Sequence, residues 1–272
     1  MPCGSLIQHG PYNNRIYLMK IGENSTPDLP SILVSLAENR GYTKIFAKVP
    51  SAEADDFFNA GYLAEATVPG FYNGLDAALF LAYYTDMKRS IESDCEIYER
   101  TIMTAFERKN DLVAPLDSSG FNLRKCEESD TGEMARIYKK VFPSYPFPIH
   151  SEDYVLETMR GNVDYFCVET KNEIIALSSA EIDMESSNVE MTDFATLPEW
   201  RGNGFGVHLL GRMEKEIKKR GIKTAYTIAR ASSPGMNITF TRQGYGFCGR
   251  LKNNTNISGQ IESMNIWFKK TG

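Results

Sequence analysis

The sequence predicts an α/β protein built as two lobes, and three observations carry that prediction. Its 272 residues exceed the roughly 150 of an average domain, so one large or two modest domains are expected. Hydrophobic residues make up 42% and charged residues 24% of the chain, near the globular average, which excludes a disordered or low-complexity protein. Short apolar runs of strand length alternate with longer stretches of helical period from one end to the other, separated by glycine and proline.

In the first lobe, residues 16–20 read as a strand and 29–40 as a helix closed by Gly41. A strand at 44–49 leads into a short helix at 51–59, with Ser51 as its cap and Gly61 just past its end. Strands follow at 63–69 and 77–84, then a polar helix from about Thr85. The segment NDLVAPLDSSG at 110–120 breaks that helix with Pro115 and Gly120 and marks the seam, giving domains 1–117 and 118–272.

The second lobe opens with a strand at 121–125 and a helix at 130–141 that carries Ile137 and Val141 on one stripe. The loop FPSYPFPIH leads to a helix at 151–159. Strands at 165–169 and 173–182 flank the turn Lys171-Asn172, and a second hairpin through 185–188 feeds a strand at 189–196. The longest helix, 204–220, is followed by a strand at 223–228, a short helix at 236–242 and strands at 247–252 and 262–269. The two lobes echo each other. Helix, Gly41, strand, short helix, Gly61-Tyr62, strand, strand in one matches helix, Gly221, strand, short helix, Gly244-Tyr245, strand, strand in the other, the pattern of a duplicated half-domain.

A formal charge of −5 argues against a general nucleic-acid binder, which carries excess Lys and Arg. Cys3, Cys95, Cys126, Cys167 and Cys248 are scattered, with no C-x-x-C pair or Cys/His cluster of zinc spacing, so free thiols and no metal are expected. His9, His150 and His208 are equally dispersed. The N-terminal stretch lacks the apolar run of a secretory signal and no stretch has the length of a membrane span. A soluble cytoplasmic protein without membrane partners is expected.

The sharpest local feature is Thr196-Leu-Pro-Glu-Trp-Arg-Gly-Asn-Gly-Phe-Gly206, which follows a predicted strand and opens the longest helix. A helix start offers unpaired N–H groups and the positive end of the macrodipole, and glycines let phosphate oxygens approach the backbone. The loop therefore reads as an anion cradle. A dinucleotide-binding fingerprint starting at Gly202 would need glycine where Val207 stands, and the Gly-Lys-Ser/Thr of a P-loop is absent.

Arg201-x-x-Gly204-x-Gly206 instead resembles the pyrophosphate loop of the GNAT superfamily of acetyl-CoA-dependent N-acyltransferases. Asn237-x-x-Phe240-x-x-x-Gly244-Tyr245 is similar to that superfamily's second acyl-CoA motif, and the element order from 120 to 269 is similar to the superfamily's own. The segments IYLMK, IFAKVP, PGFYNG, VFPSYPFPI and NNTNISGQIESMNIWF narrow the resemblance to the β-lysine N-acetyltransferases and extend it over nearly the whole chain.

The resemblance implies a GNAT fold for the second lobe, a mixed, mostly antiparallel sheet flanked by helices and splayed to admit acetyl-CoA. The smaller α/β lobe before it resembles half of such a domain without the phosphate loop. It implies that Arg201, Gly202, Asn203, Gly204, Phe205 and Gly206 hold the pyrophosphate. Phe194, Ala195, Thr196 and Leu197 would line the pantetheine arm and offer backbone N–H groups to the thioester oxygen. Asn237 and Phe240 would complete the acyl-CoA site, although many relatives carry a tyrosine at 240 that protonates the leaving thiolate. Phe240 cannot donate, so the thiolate leaves unprotonated or takes its proton from water.

An alkyl ammonium sits roughly 3.4 units above neutral pH, so exposing its lone pair costs about 4 to 5 kcal/mol and requires a base. In related enzymes a carboxylate on the strand before the phosphate loop plays that part, and Glu190 lies where it could, provided burial raises its pKa or waters relay the proton. Asp193 is the second candidate. On a regular strand it faces away from Glu190, and a bulge would bring both to one side. Phe142, Tyr145 and Phe147 could surround a cation while Asn254, Asn256 and Ser258 bind polar ends of a small amine. The expected reaction is direct acetyl transfer to the terminal amine of β-lysine, a compatible-solute synthesis, with a homodimer an admissible assembly. Another small amine such as lysine or a polyamine, a protein amine, and a noncatalytic acyl-CoA or amino-acid sensor are the alternatives.

Overall fold

The structure, a computed structural model, describes residues 4–272, so Cys3 lies outside the described residues. The chain begins with β1 (Leu6–Gly10), β2 (Arg15–Lys20), α1 (Leu29–Arg40), β3 (Lys44–Pro50), α2 (Ala54–Asn59), β4 (Leu63–Tyr72), β5 (Asp76–Tyr84) and α3 (Cys95–Glu107). It continues with β6 (Asn122–Lys125), α4 (Thr131–Val141), α5 (Glu152–Arg160), β7 (Val163–Thr170), β8 (Glu173–Asp183) and β9 (Asn188–Thr196). It closes with α6 (Phe205–Lys219), β10 (Thr224–Arg230), α7 (Pro234–Arg242), β11 (Gly246–Ile257) and β12 (Gln260–Lys270). No helix among the described residues is long and apolar enough to cross a membrane.

All these strands share one sheet of order β1-β2-β3-β5-β4-β11-β12-β10-β9-β8-β7-β6. Outward from the β4–β11 contact the two sides repeat through β1 and β8, and β7 and β6 extend the second side further. β2 and β3 pair in parallel, as do β9 and β10, and every other neighbouring pair is antiparallel. The echo in the sequence is thus a two-fold repeat about the β4–β11 contact. Its turns match bond for bond: Tyr62 N–H donates to the Phe57 carbonyl and Tyr245 N–H to that of Phe240, each at 3.0 Å.

Three sequence expectations change. β1 was not foreseen, because LIQHG is half polar and ends on glycine, and it forms by pairing with β2. The polar helix expected from Thr85 starts only at Cys95; Met87–Ser90 make a single 3-10 turn in which the Asp86 carboxylate accepts from Lys88 N–H at 2.9 Å, and Ile91 is extended. Ser51 does not cap α2, since its hydroxyl bonds Asp76 on β5 instead.

The join between the halves is narrow in the ladder and dense around it. β11 meets β4 through Gly249 and Ala66 alone, and Gly249 has φ 141° with no room for a side chain, an added Cβ lying 2.2 Å from the Glu65 carbonyl oxygen. Further along β11 the register slips between Leu251 and Thr255, so residues 252–254 bulge away from β12. Their three successive carbonyls accept from cations of the first half: Lys252 from Lys44 at 2.7 Å, Asn253 from Arg89 at 2.6 Å, and Asn254 from Arg15. Lys44 is fully buried and also pairs with Glu65 at 2.7 Å, an arrangement that satisfies a charge too costly to bury alone. One aromatic and aliphatic cluster, including Tyr17, Phe46, Phe71, Phe80, Tyr226 and Met264, fills the space where the sheet curls and brings β2 and β3 against β10 and β12.

Candidate active site

The parallel pairing of β9 with β10 runs from Asn188–Thr224 to Glu190–Tyr226 and stops, although β9 continues to Thr196 and β10 to Arg230. Beyond Glu190 the strands part. Backbone groups on that side of β9 are released from the ladder and open into a cavity of about 790 Å³ that runs from the α6 start to the first half's β2 and β3.

A bulge shapes the same stretch. Leu177 opposes Ala195 and Ser179 opposes Thr192, so Asp193 and Phe194 together face a single residue of β8, and Asp193 takes φ 53°. Glu190 and Asp193 therefore both line the cavity. Asp193 accepts from Ser179 Oγ at 2.6 Å and from the Tyr145 hydroxyl, with burial holding its carboxyl above the usual range against those bonds. Glu190 accepts from the Tyr226 hydroxyl at 3.1 Å. Burial and the Glu181 carboxylate directly across the ladder push Glu190 up to about 8, opposed by the Lys48 ammonium and by the Tyr226 bond. Such a carboxyl is far better matched to an amine proton than an ordinary glutamate.

At the other end of the cavity, Gly204 caps α6 with φ 73° and Gly202 has φ 88°, and an added Cβ at either would meet nothing within 4 Å. Glycine is needed there for backbone shape, and it leaves the helix start uncovered. No side chain caps α6 and no acidic residue stands in its first turn. Arg201 through Gly206 all line the cavity, with Arg201 bonded to the Thr196 carbonyl at 3.4 Å and Asn203 to that of Trp200 at 2.9 Å. The arrangement suits a diphosphate.

The other predicted residues separate into two groups. Phe194, Thr196, Phe240, Phe142, Tyr145, Phe147 and Asn254 line the cavity. Phe240 is 1% exposed and meets Phe194 edge-on at 5.6 Å, so its ring forms a wall and offers no proton. Ala195, Leu197, Asn237, Asn256 and Ser258 are not among the lining residues. Ala195 packs into the α4–α5 core, Leu197, just past the end of β9, packs against both that core and the one beneath α6, and Leu197 N–H is already spent on the Ile175 carbonyl at 3.0 Å. Asn237 is buried with every polar atom used: it donates to Arg230 and Ser233 carbonyls and accepts from Asn265 and Trp267, the last at 2.8 Å. It braces α7 against β12, and its removal would strand a buried indole N–H at a cost of about 1–3 kcal/mol. Asn256 ties the loop at Ser144 to Tyr12 and Asn13, and Ser258 sits in the β11–β12 turn at φ 55°.

Sequence reasoning missed the first half's share of the site. Arg15, Tyr17 and Lys48 line the cavity together with Glu181 and Tyr226. In the two-fold repeat Tyr17 pairs with Phe46 as Glu190 pairs with Tyr226. Lys48 makes no hydrogen bond or ion pair among the described residues. Its ammonium stands 5.2 Å from the Phe71 ring, and burial lowers its pKa against the pull of Glu190 and Glu181. A lysine inside the apolar run IFAKVP was the one local signal.

Comparison with known proteins places this geometry. Residues 133–246 match the acetyltransferase (GNAT) family. The chain is 38% identical over 271 residues to the β-lysine N(6)-acetyltransferase of Methanococcus maripaludis, covering 97% of this chain and 96% of that one. It is 34% identical over 262 residues to the β-lysine N(6)-acetyltransferase of Methanosarcina mazei, covering 89% and 96%. It is 32% identical over 269 residues to the N-acetyltransferase YodP of Bacillus subtilis, covering 98% and 96%. Likeness on this scale runs through both halves of the sheet, and the chain belongs to the GNAT family of acetyltransferases.

Proposed function

We propose that this acetyltransferase moves the acetyl group of acetyl-CoA to the terminal amine of β-lysine, giving N6-acetyl-β-lysine, a compatible solute. The observation that carries the reading is the parting of β9 from β10 at Glu190, which sets a raised carboxyl at the inner end of a cleft whose outer end is an uncapped, glycine-rich helix start. The names of the two archaeal relatives support the acceptor. Residues 1–117 serve as the lobe that completes the acceptor pocket and 118–272 as the acetyltransferase domain.

The α6 start from Arg201 to Gly206 holds the diphosphate, and the released edge of β9 holds the pantetheine arm and the thioester carbonyl. Glu190 draws the proton from the acceptor ammonium, directly or through water. The freed amine then forms its bond to the thioester carbon while N–H groups on the β9 edge stabilise the charge on oxygen. The C–S bond breaks as the carbonyl re-forms, the thiolate departs without a side-chain acid because Phe240 has none to give, and the second proton, carried by the new amide nitrogen, passes to the departing thiolate or to water. Both substrates are bound at once and no acyl-enzyme is needed.

Thiol release from acetyl-CoA, measured with β-lysine, L-lysine and spermidine, tests the reading. β-Lysine should give the highest kcat/KM, and a rate with spermidine equal to or above it would overturn the assignment. Glu190→Gln should lower kcat by about 10²–10⁴-fold with acetyl-CoA affinity unchanged. Only the ionised carboxylate can take the proton, so the wild-type rate should climb as pH rises through about 8 and then level off, whereas the variant, dependent on amine already deprotonated, should keep climbing above 8.

A further inference from the structure

The three cations that grip the β11 bulge are not equally occupied. Lys44 is satisfied by Glu65 and the Lys252 carbonyl. Arg89 spends its guanidinium on Asn253, Thr43 and Asn13. Arg15 is 4% exposed and lines the cavity, and no carboxylate among the described residues pairs with it. Its Nη1 donates to the Asn254 carbonyl and to Thr255 Oγ1 at 3.0 Å, while its Nε is buried with no partner. The Tyr17 and Phe46 rings, each 5.5 Å from the guanidinium carbon, hold the group in place without neutralising it.

Beside it lies a group of complementary character. Asn254 is 1% exposed and lines the same cavity; its Nδ2 contacts Thr255 Oγ1 and its Oδ1 is buried without a donor. An unmatched cationic donor and an unmatched acceptor on neighbouring side chains are each costly in a native interior. Together they match a group that carries an anion and a cation a few bonds apart.

We propose that Arg15 and Asn254 recognise the zwitterionic end of the acceptor, Arg15 taking its carboxylate through Nε and Asn254 Oδ1 accepting from its non-reacting ammonium. The acceptor class is then a diamino acid, and diamines or polyamines lacking a carboxylate are rejected because they leave Arg15 buried and unpaired. The inference rests on the acetyl-transfer reading and specifies which substrates it admits. It also explains what the first half of the chain contributes, since β2 supplies the selectivity for a reaction whose other groups lie on the second half.

The test compares β-lysine, L-lysine and 1,4-diaminopentane, the β-lysine skeleton without its carboxylate, in the full-length enzyme. Wild type should favour β-lysine over the diamine by about 10²-fold or more in kcat/KM. Arg15→Met should raise the β-lysine KM by about 10²-fold, leave the acetyl-CoA KM in place, and shrink the preference over the diamine by a similar factor. Arg15→Lys, which keeps the charge and loses the fork, should fall between them. Should Arg15→Met fail to fold, the wild-type ratio and Arg15→Lys still decide. Equal use of the diamine by wild type, or an Arg15→Met defect identical for both amines, overturns the proposal. Preference for L-lysine over β-lysine would end the β-lysine reading while supporting Arg15. Use of spermidine with no amino acid accepted would end both.

Discussion

Helices α1 and α6 hold matching places in the two halves of the sheet, each between a parallel pair of strands, but their starts differ. α1 begins behind Asp28 with a proline in its first turn, and Leu29 N–H is already bonded to the Thr26 carbonyl at 2.9 Å. α6 begins behind Gly204, with neither a side-chain cap nor an acid in the first turn. A carboxylate and a proline at one start leave negative charge and fewer donors, whereas glycines at the other leave donors and space. The same strand and helix order thus recurs in both halves, while the two helix starts are set apart by only a few residues.

The comparison can be broken most forcefully by giving α6 the first half's chemistry. Gly204→Asp sets a carboxylate against a diphosphate, a repulsion of about 4 kcal/mol per charge pair at 4 Å and an effective dielectric of 20 before salt screening. The acetyl-CoA KM should rise by about 10²-fold or more, and an unchanged KM would separate the helix start from phosphate binding. A smaller effect sharpens the contrast between Glu190 and its neutral counterpart Tyr17. Folding raises the Glu190 carboxyl from 4.5 to about 8, so its stabilising contribution is complete below the lower value and lost as pH rises through the upper one. Glu190→Gln stays neutral, and its Tm should gain on wild type as pH climbs toward 9, by roughly 2–4 °C, which is what about 1 kcal/mol is worth in a chain of this size. A melting-temperature difference that does not change with pH would show the carboxyl titrates normally. Smallest is Asn256→Ala, which should cost about 0.5–1.5 kcal/mol per lost bond without altering the acceptor KM. A tenfold KM rise would move Asn256 into the site.

Much of this is legible in the sequence where the signal is local. The glycine-rich start of α6 is read from spacing and from its place between a strand and a helix, and the position of Glu190 on that strand by counting back from it. The side to which Asp193 points is not, since TDFAT has no glycine to announce a bulge and strict alternation sends Asp193 the other way. The run NNTN reads as a polar loop because it interrupts alternation, whereas it is strand that bulges to offer carbonyls to three distant cations. Arg15 and Lys48 escape notice for a related reason: their place at the cavity comes from strands far apart in the chain meeting in space, and the only local mark of it is a lysine set in the apolar run IFAKVP. The start of α3 is missed because the Asp86 turn competes locally with helix and prevails for one turn.

The Gly249–Ala66 contact carries a last consequence. A methyl group at 249 would strike the Glu65 carbonyl, so the two half-sheets approach as closely as a bare backbone allows and no natural side chain could bring them nearer. Any larger residue there would act as a wedge between β4 and β11. The spacing of the two half-sheets is gauged by one missing carbon atom at the point where they pair.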